Sequence, residues 1–332
     1  MTWLVTGGSG FLGIHLLREL SEAGVAARSL DLVGANDTPS GVDVVLGDIG
    51  DEALLRRALD GIEVVVHAAA ALPSGGDLAA TNVIATELVA REAERAGVSR
   101  SILISSGVVY GLGASPLRET DEPKPIEAYG RSKLRAEECW LTGAPSPIVL
   151  RPAAFIGPER LGVFGILFRW ILEERRIYVL GDGRNRYQLL DVGDLVSAIV
   201  LAGESPAEGV VNVGGLVSGT VREDLEALIE HAGSRSRVVG VPARPARAAL
   251  SVLGALRLSP LSTWHARSAD RDFVLDCTHA ADVLGWTPKL SGADALRSAY
   301  DWFVREGAAA ATGTTHRAQW HERGLALLRR LS

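Results

Sequence analysis

Short apolar runs alternate with helically spaced apolar residues through the first third of the chain. The apolar runs predict strands at 3–5, 25–30, 42–46, 64–66 and 101–105. Apolar residues three and four apart predict helices at 14–20, 54–59 and 83–96, each followed by a glycine. Because strands that alternate with helices form parallel sheets, we expect an α/β fold with a doubly wound parallel sheet and helices on both faces.

The rest of the chain has a less regular pattern. Prolines predict turns at 145–147, 152 and 158, and apolar runs predict a helix at 164–172 and a strand at 210–213. No clean alternation is found at 216–290, and a last helix is predicted at 316–331. We therefore divide the chain into two domains. The dinucleotide-type domain covers 1–155 and again residues near 188–213, and a smaller C-terminal substrate-binding domain covers 156–187 and 214–310. The helical tail is 311–332.

Composition excludes several classes of function. The 34 basic and 40 acidic residues give a net charge of −6, without a pronounced basic run, which argues against nucleic-acid binding. Two cysteines in no paired motif argue against disulfides and a zinc site. His316 and His321 are interpreted as a solvated helix face, so no metal is predicted. With no membrane-length apolar run and no leader-like start, we expect a soluble, cytoplasmic protein.

A glycine-rich loop follows the first predicted strand and precedes the first predicted helix. Gly7, Gly10 and Gly13 are three residues apart, with Phe11 and Leu12 between the last two. Glycines at such a turn allow the backbone to approach a pyrophosphate closely, and a helix N-terminus supplies free N–H groups. The loop predicts dinucleotide binding in a Rossmann-type domain.

Two acidic residues at strand ends refine the predicted cofactor. Asp31 ends the second strand, and a carboxylate there binds the adenosine ribose hydroxyls and repels a 2′-phosphate. This favours NAD over NADP. Asp48, with Ile49, follows the third strand and is a candidate adenine contact.

Tyr129 and Lys133 are the candidate catalytic pair. They are four residues apart in a predicted helix at 127–140 and therefore share a face. Lys133 is one of only three lysines in the chain. A nearby ammonium and a bound nicotinamide favour the phenolate, which can take a proton from a substrate hydroxyl. Ser105 and Ser106 follow the fifth strand, where a hydroxyl could orient the substrate oxygen.

These residues resemble the extended branch of the short-chain dehydrogenase/reductase superfamily, the NAD-dependent epimerase/dehydratase family, with UDP-galactose 4-epimerase-like features. The matching stretches are 6–13, Asp31, 47–49, 67–70, Asn82, 105–111, Tyr129 with Lys133, 151–158, 191–194 and 284–288. The resemblance implies that Ser106, not Ser105, is catalytic and that His67 is structural. It also implies that Ala68, Ala69, Ala70 and Pro152 contact the cofactor. Such proteins usually dimerise through helices at 80–96 and 127–141, so a homodimer is expected.

Departures from the family pattern narrow the expected reaction. Sugar dehydratases carry an acid and a base at two positions where this chain has Gly107 and Val108. Neither of these side chains can donate or accept a proton. Epimerases of the UDP-galactose type and simple alcohol dehydrogenases need neither group, and both remain open. The candidate substrate contacts, beside Ser106, Gly107, Val108 and Tyr129, are Ala154, Arg186 and Arg267.

The resemblance therefore predicts an NAD-dependent enzyme that oxidises a secondary alcohol of a sugar or nucleotide sugar, most like a 4-epimerase. A net dehydrogenase or reductase acting on a non-nucleotide alcohol or ketone is the alternative. A protein that binds NAD without turnover is a third hypothesis, which the intact Ser106, Tyr129 and Lys133 set disfavours.

Overall fold

The computed structural model describes residues 1–72, 76–255, 263–307 and 317. The strands are β1 Thr2–Thr6, β2 Ala26–Asp31, β3 Asp43–Leu46, β4 Val64–His67, β5 Arg100–Ile104, β6 Pro147–Pro152, β7 Ala154–Ile156, β8 Arg176–Leu180, β9 Leu189–Asp191, β10 Gly209–Val213 and β11 Arg237–Val241. The α-helices are α1 Phe11–Glu22, α2 Glu52–Leu59, α3 Ala85–Arg95, α4 Ala128–Gly143, α5 Gly162–Leu172, α6 Val192–Glu204, α7 Val221–His231, α8 Ala243–Ala255, α9 Thr263–Ser268, α10 Thr278–Leu284 and α11 Gly292–Arg305.

Seven strands form one parallel sheet in the order β10-β6-β5-β4-β1-β2-β3. This is a Rossmann-type doubly wound fold, as predicted, and the strand order reverses between β1 and β4. The crevice at such a reversal point, outside the carboxyl ends of the strands, is where ligands bind in open α/β sheets.

Both faces of the sheet are covered by apolar clusters, and the side chains of β1 point alternately into one and the other. Trp3 and Val5 contribute to an apolar cluster that includes residues of α1 and α6. Leu4 contributes to a second cluster on the other face, which includes residues of α2, α3 and α4. Successive side chains of a strand point to opposite faces, so this short apolar run supplies both cores.

The sequence predicted turns at 145–147 and at 152 but no strand between them. In the structure, Pro147 and Pro152 are the two ends of β6, which lies between β5 and β10. Proline is tolerated at the ends of strands. The predicted helix at 83–96 is also modified, because its first turns form a π-helix, Ala80–Ile84, before α3.

The later part of the chain packs around a third apolar cluster, to which α5, β8, α7 and α11 contribute. Strands β8 and β11 pair in parallel, and β7 pairs with β9. Strand β11 was not predicted, because its Arg237–Val241 segment is short and only partly buried. The helix predicted at 316–331, with His316 and His321, lies outside the described residues apart from Arg317.

No helix among the described residues is both long enough and apolar enough to cross a membrane.

Candidate active site

The glycine loop lies where β1 meets α1, beside the end of β4. A Cβ on Gly7 would lie 2.8 Å from the backbone nitrogen of Ala69, and one on Gly13 would overlap the carbonyl oxygen of Gly7. Gly10 caps α1 without a side-chain hydrogen bond. The loop therefore leaves the N–H groups at the start of α1 uncapped, which is the arrangement that a pyrophosphate needs.

The carboxylate of Asp31 holds the glycine loop at the end of β2. Its oxygens accept hydrogen bonds from the backbone N–H groups of Ser9, at 3.0 Å, and Leu32, at 2.7 Å. Asp31 thus lies within reach of a ligand that runs over the loop, as the NAD prediction requires. Asp48 is exposed after β3, with its carboxylate accepting from the Gly50 N–H, and nearby Ile49 is buried.

His67 ends β4 in a buried chain of hydrogen bonds. Its Nδ1 lies 2.7 Å from the Thr6 hydroxyl, and its Nε2 lies 2.9 Å from the Thr86 hydroxyl. Burial, and to a lesser degree the charge of Lys133, lower the pKa of His67 to about 3, so the ring is neutral. Because both ring nitrogens are occupied, the geometry supports the structural role implied for His67.

Asn82 connects the cofactor side to α4 from within the π-helix. Its carbonyl accepts from the Ala71 N–H at 2.7 Å, and its amide donates to the Ala71 carbonyl and to the Ser132 hydroxyl. Ser132 in turn donates to the carbonyl of Tyr129. The wider π turn, a feature often found at functional sites, brings Asn82 between the segment after Ala70 and α4.

The three candidate catalytic residues come from two neighbouring elements. Lys133 is buried on α4, and its ammonium donates to the carbonyl of Ile104 at 2.6 Å, at the end of β5. Ser106, two residues later, is partly exposed, and its hydroxyl accepts from the Val108 N–H at 3.4 Å. Tyr129 is partly buried in the first turn of α4. Ser105, by contrast, is buried and donates to Glu137.

Burial shifts the pKa values of the candidate pair Tyr129 and Lys133 in opposite directions. It raises the pKa of Tyr129 to about 12, an effect that the charge of Arg160 opposes and that of Glu127 reinforces. Burial also lowers the pKa of Lys133 to about 8, against the charge of Glu137. The cation that favours the Tyr129 phenolate in this structure is thus Arg160, which the sequence did not identify.

Packing explains the small residue next to Ser106. A Cβ on Gly107 would lie 3.2 Å from the Phe273 ring and 3.3 Å from the Leu275 side chain, so a larger residue would require these side chains to shift. Val108 is apolar, and a Cβ on Gly130 would lie 3.2 Å from its carbonyl oxygen. The two positions after Ser106 therefore offer no group for proton transfer.

Beneath the site, α4 is fastened to β6 by a buried ion pair. The Arg151 guanidinium lies 2.6 Å from the Glu137 carboxylate, and both side chains are at most 5 % exposed. Arg151 also lies over the Tyr110 ring, whose hydroxyl donates to Asn212 on β10. Glu137 follows Lys133 by four residues, a spacing that could have been recognised in the sequence.

The predicted substrate contacts are spread along the later segments. Ala154 begins β7 and is partly exposed, Pro152 is buried at the end of β6, and Arg267 is exposed on α9. Arg186 is exposed and forms an ion pair with Asp272 at 2.7 Å. Its charge is therefore already compensated, although it remains a candidate contact.

A pair of aromatic residues near Arg186 was missed in the sequence. The Trp264 indole N–H donates to the Tyr187 hydroxyl at 3.0 Å, and the Trp264 backbone N–H donates to Glu127 at 3.1 Å. These two hydrogen bonds join α9 to Tyr187 and to Glu127, the residue before α4. No spacing rule links positions 127, 187 and 264, because only the folded chain brings them together.

The fold and the site define a dinucleotide-binding α/β protein. The residues fit NAD: uncapped N–H groups lie at the start of α1, the Ala69 backbone closes on Gly7, and a carboxylate ends β2. The model for the "NAD dependent epimerase/dehydratase family" matches residues 3–214. The chain belongs to this family; it is therefore an NAD-dependent enzyme. No group of three His, Cys, Asp or Glu side chains suited to a metal ion occurs in the described ranges.

The chain is also similar to a curated protein and to solved structures. An uncharacterised protein of Sinorhizobium fredii, y4nG, is 33% identical over 98% of this chain and 85% of its own length. A UDP-glucose 4-epimerase of Thermotoga maritima, solved with UDP-glucose, matches with TM-score 0.77 and 27% identity, over 92% of this chain and 99% of that one. MoeE5, solved with UDP-glucuronic acid and NAD, matches with TM-score 0.76 and 28% identity over the same shares.

Proposed function

We propose that the protein is a nucleotide-sugar epimerase that oxidises a ring hydroxyl and reduces the resulting ketone from the opposite face. One observation carries the proposal: the Lys133 ammonium on α4 reaches the Ile104 carbonyl at the end of β5, two residues before Ser106, while Gly107 and Val108 supply no further acid or base. Tyr129 lies one helical turn before Lys133 on α4. Loss of water from the sugar needs such groups, whereas inversion of a carbinol does not. The similarity to sugar-nucleotide epimerases supports the same class of substrate.

The proposed roles follow from the contacts of each side chain. Ser106 donates to the substrate hydroxyl and orients it, and Tyr129 takes the proton from that hydroxyl. The Lys133 ammonium lies at the carboxyl end of β5, and it is proposed to bind the hydroxyls of the nicotinamide ribose there. The chemistry that bound NAD supplies is acceptance of a hydride from the carbon that carries the hydroxyl. On reduction, Tyr129 returns its proton to the oxygen.

The rest of the cofactor site is proposed from the same geometry. The N–H groups at Phe11 and Leu12 bind the pyrophosphate, and Asp31 accepts the adenosine ribose hydroxyls. Asp48 and Ile49 border the adenine. The three alanines Ala68–Ala70 and Pro152 allow close approach of the cofactor. Arg186, Arg267 and Ala154 are proposed to face the substrate.

We predict that the freshly purified protein releases close to one NAD per chain on denaturation. An enzyme that recycles its cofactor within one turnover has no need to release it. Chromatography of the released dinucleotide, with conversion of UDP-glucose to its 4-epimer as the activity assay, makes the measurement. Cofactor-free protein that reduces added NAD in stoichiometric amounts with an alcohol would instead establish a net dehydrogenase. Released NADP would contradict the role given to Asp31.

We also propose that the protein forms a homodimer through α3 and α4, as the family resemblance implies. Ile84, the last residue of the π-helix that leads into α3, is 65 % exposed, and Leu141, near the end of α4, is 36 % exposed. We expect Ile84→Glu to convert a dimer to a monomer, because a charge would be buried at the interface. Light scattering measures the mass. Leu172→Glu, at an exposed apolar position on α5, is the control, and equal behaviour of the two variants would contradict this interface.

A further inference from the structure

Arg317, in the C-terminal tail, is bound to two distant loops of the same chain. Its guanidinium lies 2.6 Å from the Asp37 carboxylate, between β2 and β3, and 2.7 Å from the Glu159 carboxylate, after β7. Arg18 on α1 pairs with the same two carboxylates. The four side chains are 15–36 % exposed, and a network of charges contributes more to stability than an isolated surface pair does. Arg317 therefore fixes the point from which the last residues of the chain continue.

The loop that contains Asp37 borders the candidate cofactor site. It begins after Asp31, whose carboxylate accepts a hydrogen bond from the Ser9 N–H of the glycine loop. The Ser9 hydroxyl donates to the carbonyl of Val33 at 2.6 Å. Arg317 thus holds the tail beside the segment that is proposed to bind the adenosine ribose.

An apolar surface lies next to this loop, at the outer edge of the sheet. We call it the β3 edge surface; its side chains, which are 43–67 % exposed, are Leu32, Val33, Val44 and Leu46. Strand β3 is the last of the sheet, and Leu46 pairs in register with Asp31, the residue before Leu32. Val45 packs against the cluster that includes α2 and α3, so Val44 and Leu46 point to the opposite face, where α1 lies. Exposed apolar residues that adjoin one another in this way indicate an interaction site.

The sequence after Arg317 fits this surface in length and in pattern. The terminal segment 318–332 lies outside the described residues, and the sequence predicts a helix there. In a helix, one apolar stripe would be formed by Trp320, Leu327, Leu328 and Leu331. A helix over 318–332 would span about 22 Å, whereas the four residues of β3 span about 13 Å. The terminal segment is therefore long enough to cover the β3 edge surface.

We propose that the terminal segment 318–332 docks on the β3 edge surface of its own chain and covers the adenosine end of the cofactor site, with Arg317 as its anchor. The chain itself is the occupant because Arg317 contacts Asp37 and Glu159 of that chain. Apolar side chains on both partners leave water on docking, which favours the docked arrangement. Bound NAD then leaves more slowly, since the terminal segment must first detach. The effect on NAD rests on the proposed role of Asp31, whereas the docking does not.

Hydrogen exchange of the full-length, NAD-loaded protein measures the docking. In the wild type we expect the backbone amides of 318–332 to exchange about 10-fold more slowly than those of an unfolded chain, because a docked helix must open first. Val44→Lys puts a charge on the β3 edge surface and Arg317→Gln removes the anchor, so both should lose this protection. The matched controls, which should keep it, are Val304→Lys, at an exposed apolar position on α11, and Arg235→Gln, at an exposed ion pair.

Exchange of bound NAD for added isotope-labelled NAD measures the covering of the cofactor. We expect the exchange rate to rise about 5-fold in Arg317→Gln and in Val44→Lys, which is the low end of the coupling between two sites. Val304→Lys and Arg235→Gln should keep the wild-type rate. Neither substitution in the first pair changes a residue that is proposed to contact NAD.

Three results would overturn the proposal. Amides of 318–332 that exchange at the unfolded rate in the wild type would leave the β3 edge surface to another protein. Protection that appears only as the protein concentration rises would place the terminal segment on a second copy of the chain. Lost protection with an unchanged rate of NAD exchange would remove the covering role. If the wild type converts no UDP-sugar, the epimerase proposal fails, but both measurements still test the docking because neither uses turnover.

Discussion

Replacing Tyr129 with Phe is expected to lower kcat about 10²- to 10⁴-fold, the usual contribution of a positioned acid–base group. The change removes only the hydroxyl that is proposed to take the proton. Phe keeps the ring where it is partly buried in the first turn of α4. NAD binding should be unchanged, because the glycine loop, Asp31 and Lys133 remain. Turnover of UDP-sugar and retention of NAD after gel filtration measure the two effects separately.

Tyr178→Phe is the matched control, since Tyr178 lies on β8 outside the candidate site. It should match the wild type. The pH profile adds a second signature. Activity should fall at high pH, because Lys133, whose pKa burial lowers to about 8, loses the charge with which it is proposed to bind the cofactor. Tyr129→Phe keeps Lys133, so its residual activity should keep that falling limb; a variant with the wild-type rate would disprove the assignment.

The candidate cofactor residues could be predicted because the residues that indicate them lie close together in the sequence. Glycines at fixed spacing, a strand before them and a helix after them specify one turn, and Gly7 and Gly13 make the close approaches that this turn requires. The Tyr129 and Lys133 pair is equally local, since one helical turn joins them. The parallel sheet followed from the alternation of short apolar runs with helical spacing.

The contacts between the later segments could not be predicted, since they join positions that are far apart in the sequence. Trp264 meets Tyr187 across 77 positions, and Arg160 reaches Phe11 only when β7 has paired within the fold. The sheet formed by β8 and β11 also depends on partners 61 residues apart, with Arg176 opposite Arg237. Local patterns carry no information about such pairings, and only Glu137, one turn after Lys133, had a spacing that pointed to its place.

Replacing Glu137 with Ala is expected to lower the free energy of unfolding by about 3–5 kcal/mol, the usual cost of removing one partner of a buried ion pair. The carboxylate accepts from Arg151 on β6, with distances of 2.6 and 3.0 Å, and from the Ser105 hydroxyl. Without it, the Arg151 guanidinium stays buried and loses its counterion. Urea unfolding with an unchanged m-value measures the loss.

Glu138→Ala is the control for Glu137→Ala, because Glu138 is the next residue on α4 and pairs with Arg135 at the surface. An exposed ion pair contributes below about 1 kcal/mol, so this change should have little effect. Similar losses in the two variants would show that helix propensity, and not the buried pair, is responsible.

Replacing both partners separates the part that Glu137 plays in the fold from its effect on the active site. In Glu137→Met with Arg151→Met no unpaired charge is left, and apolar side chains of similar size often restore the stability of a buried pair. Activity should nevertheless change, because the charge of Glu137 raises the pKa of Lys133. Without that charge Lys133 loses its proton at a lower pH, and the falling limb of the pH profile should move to lower pH. A stable double variant with the wild-type limb would show that Glu137 serves the fold alone.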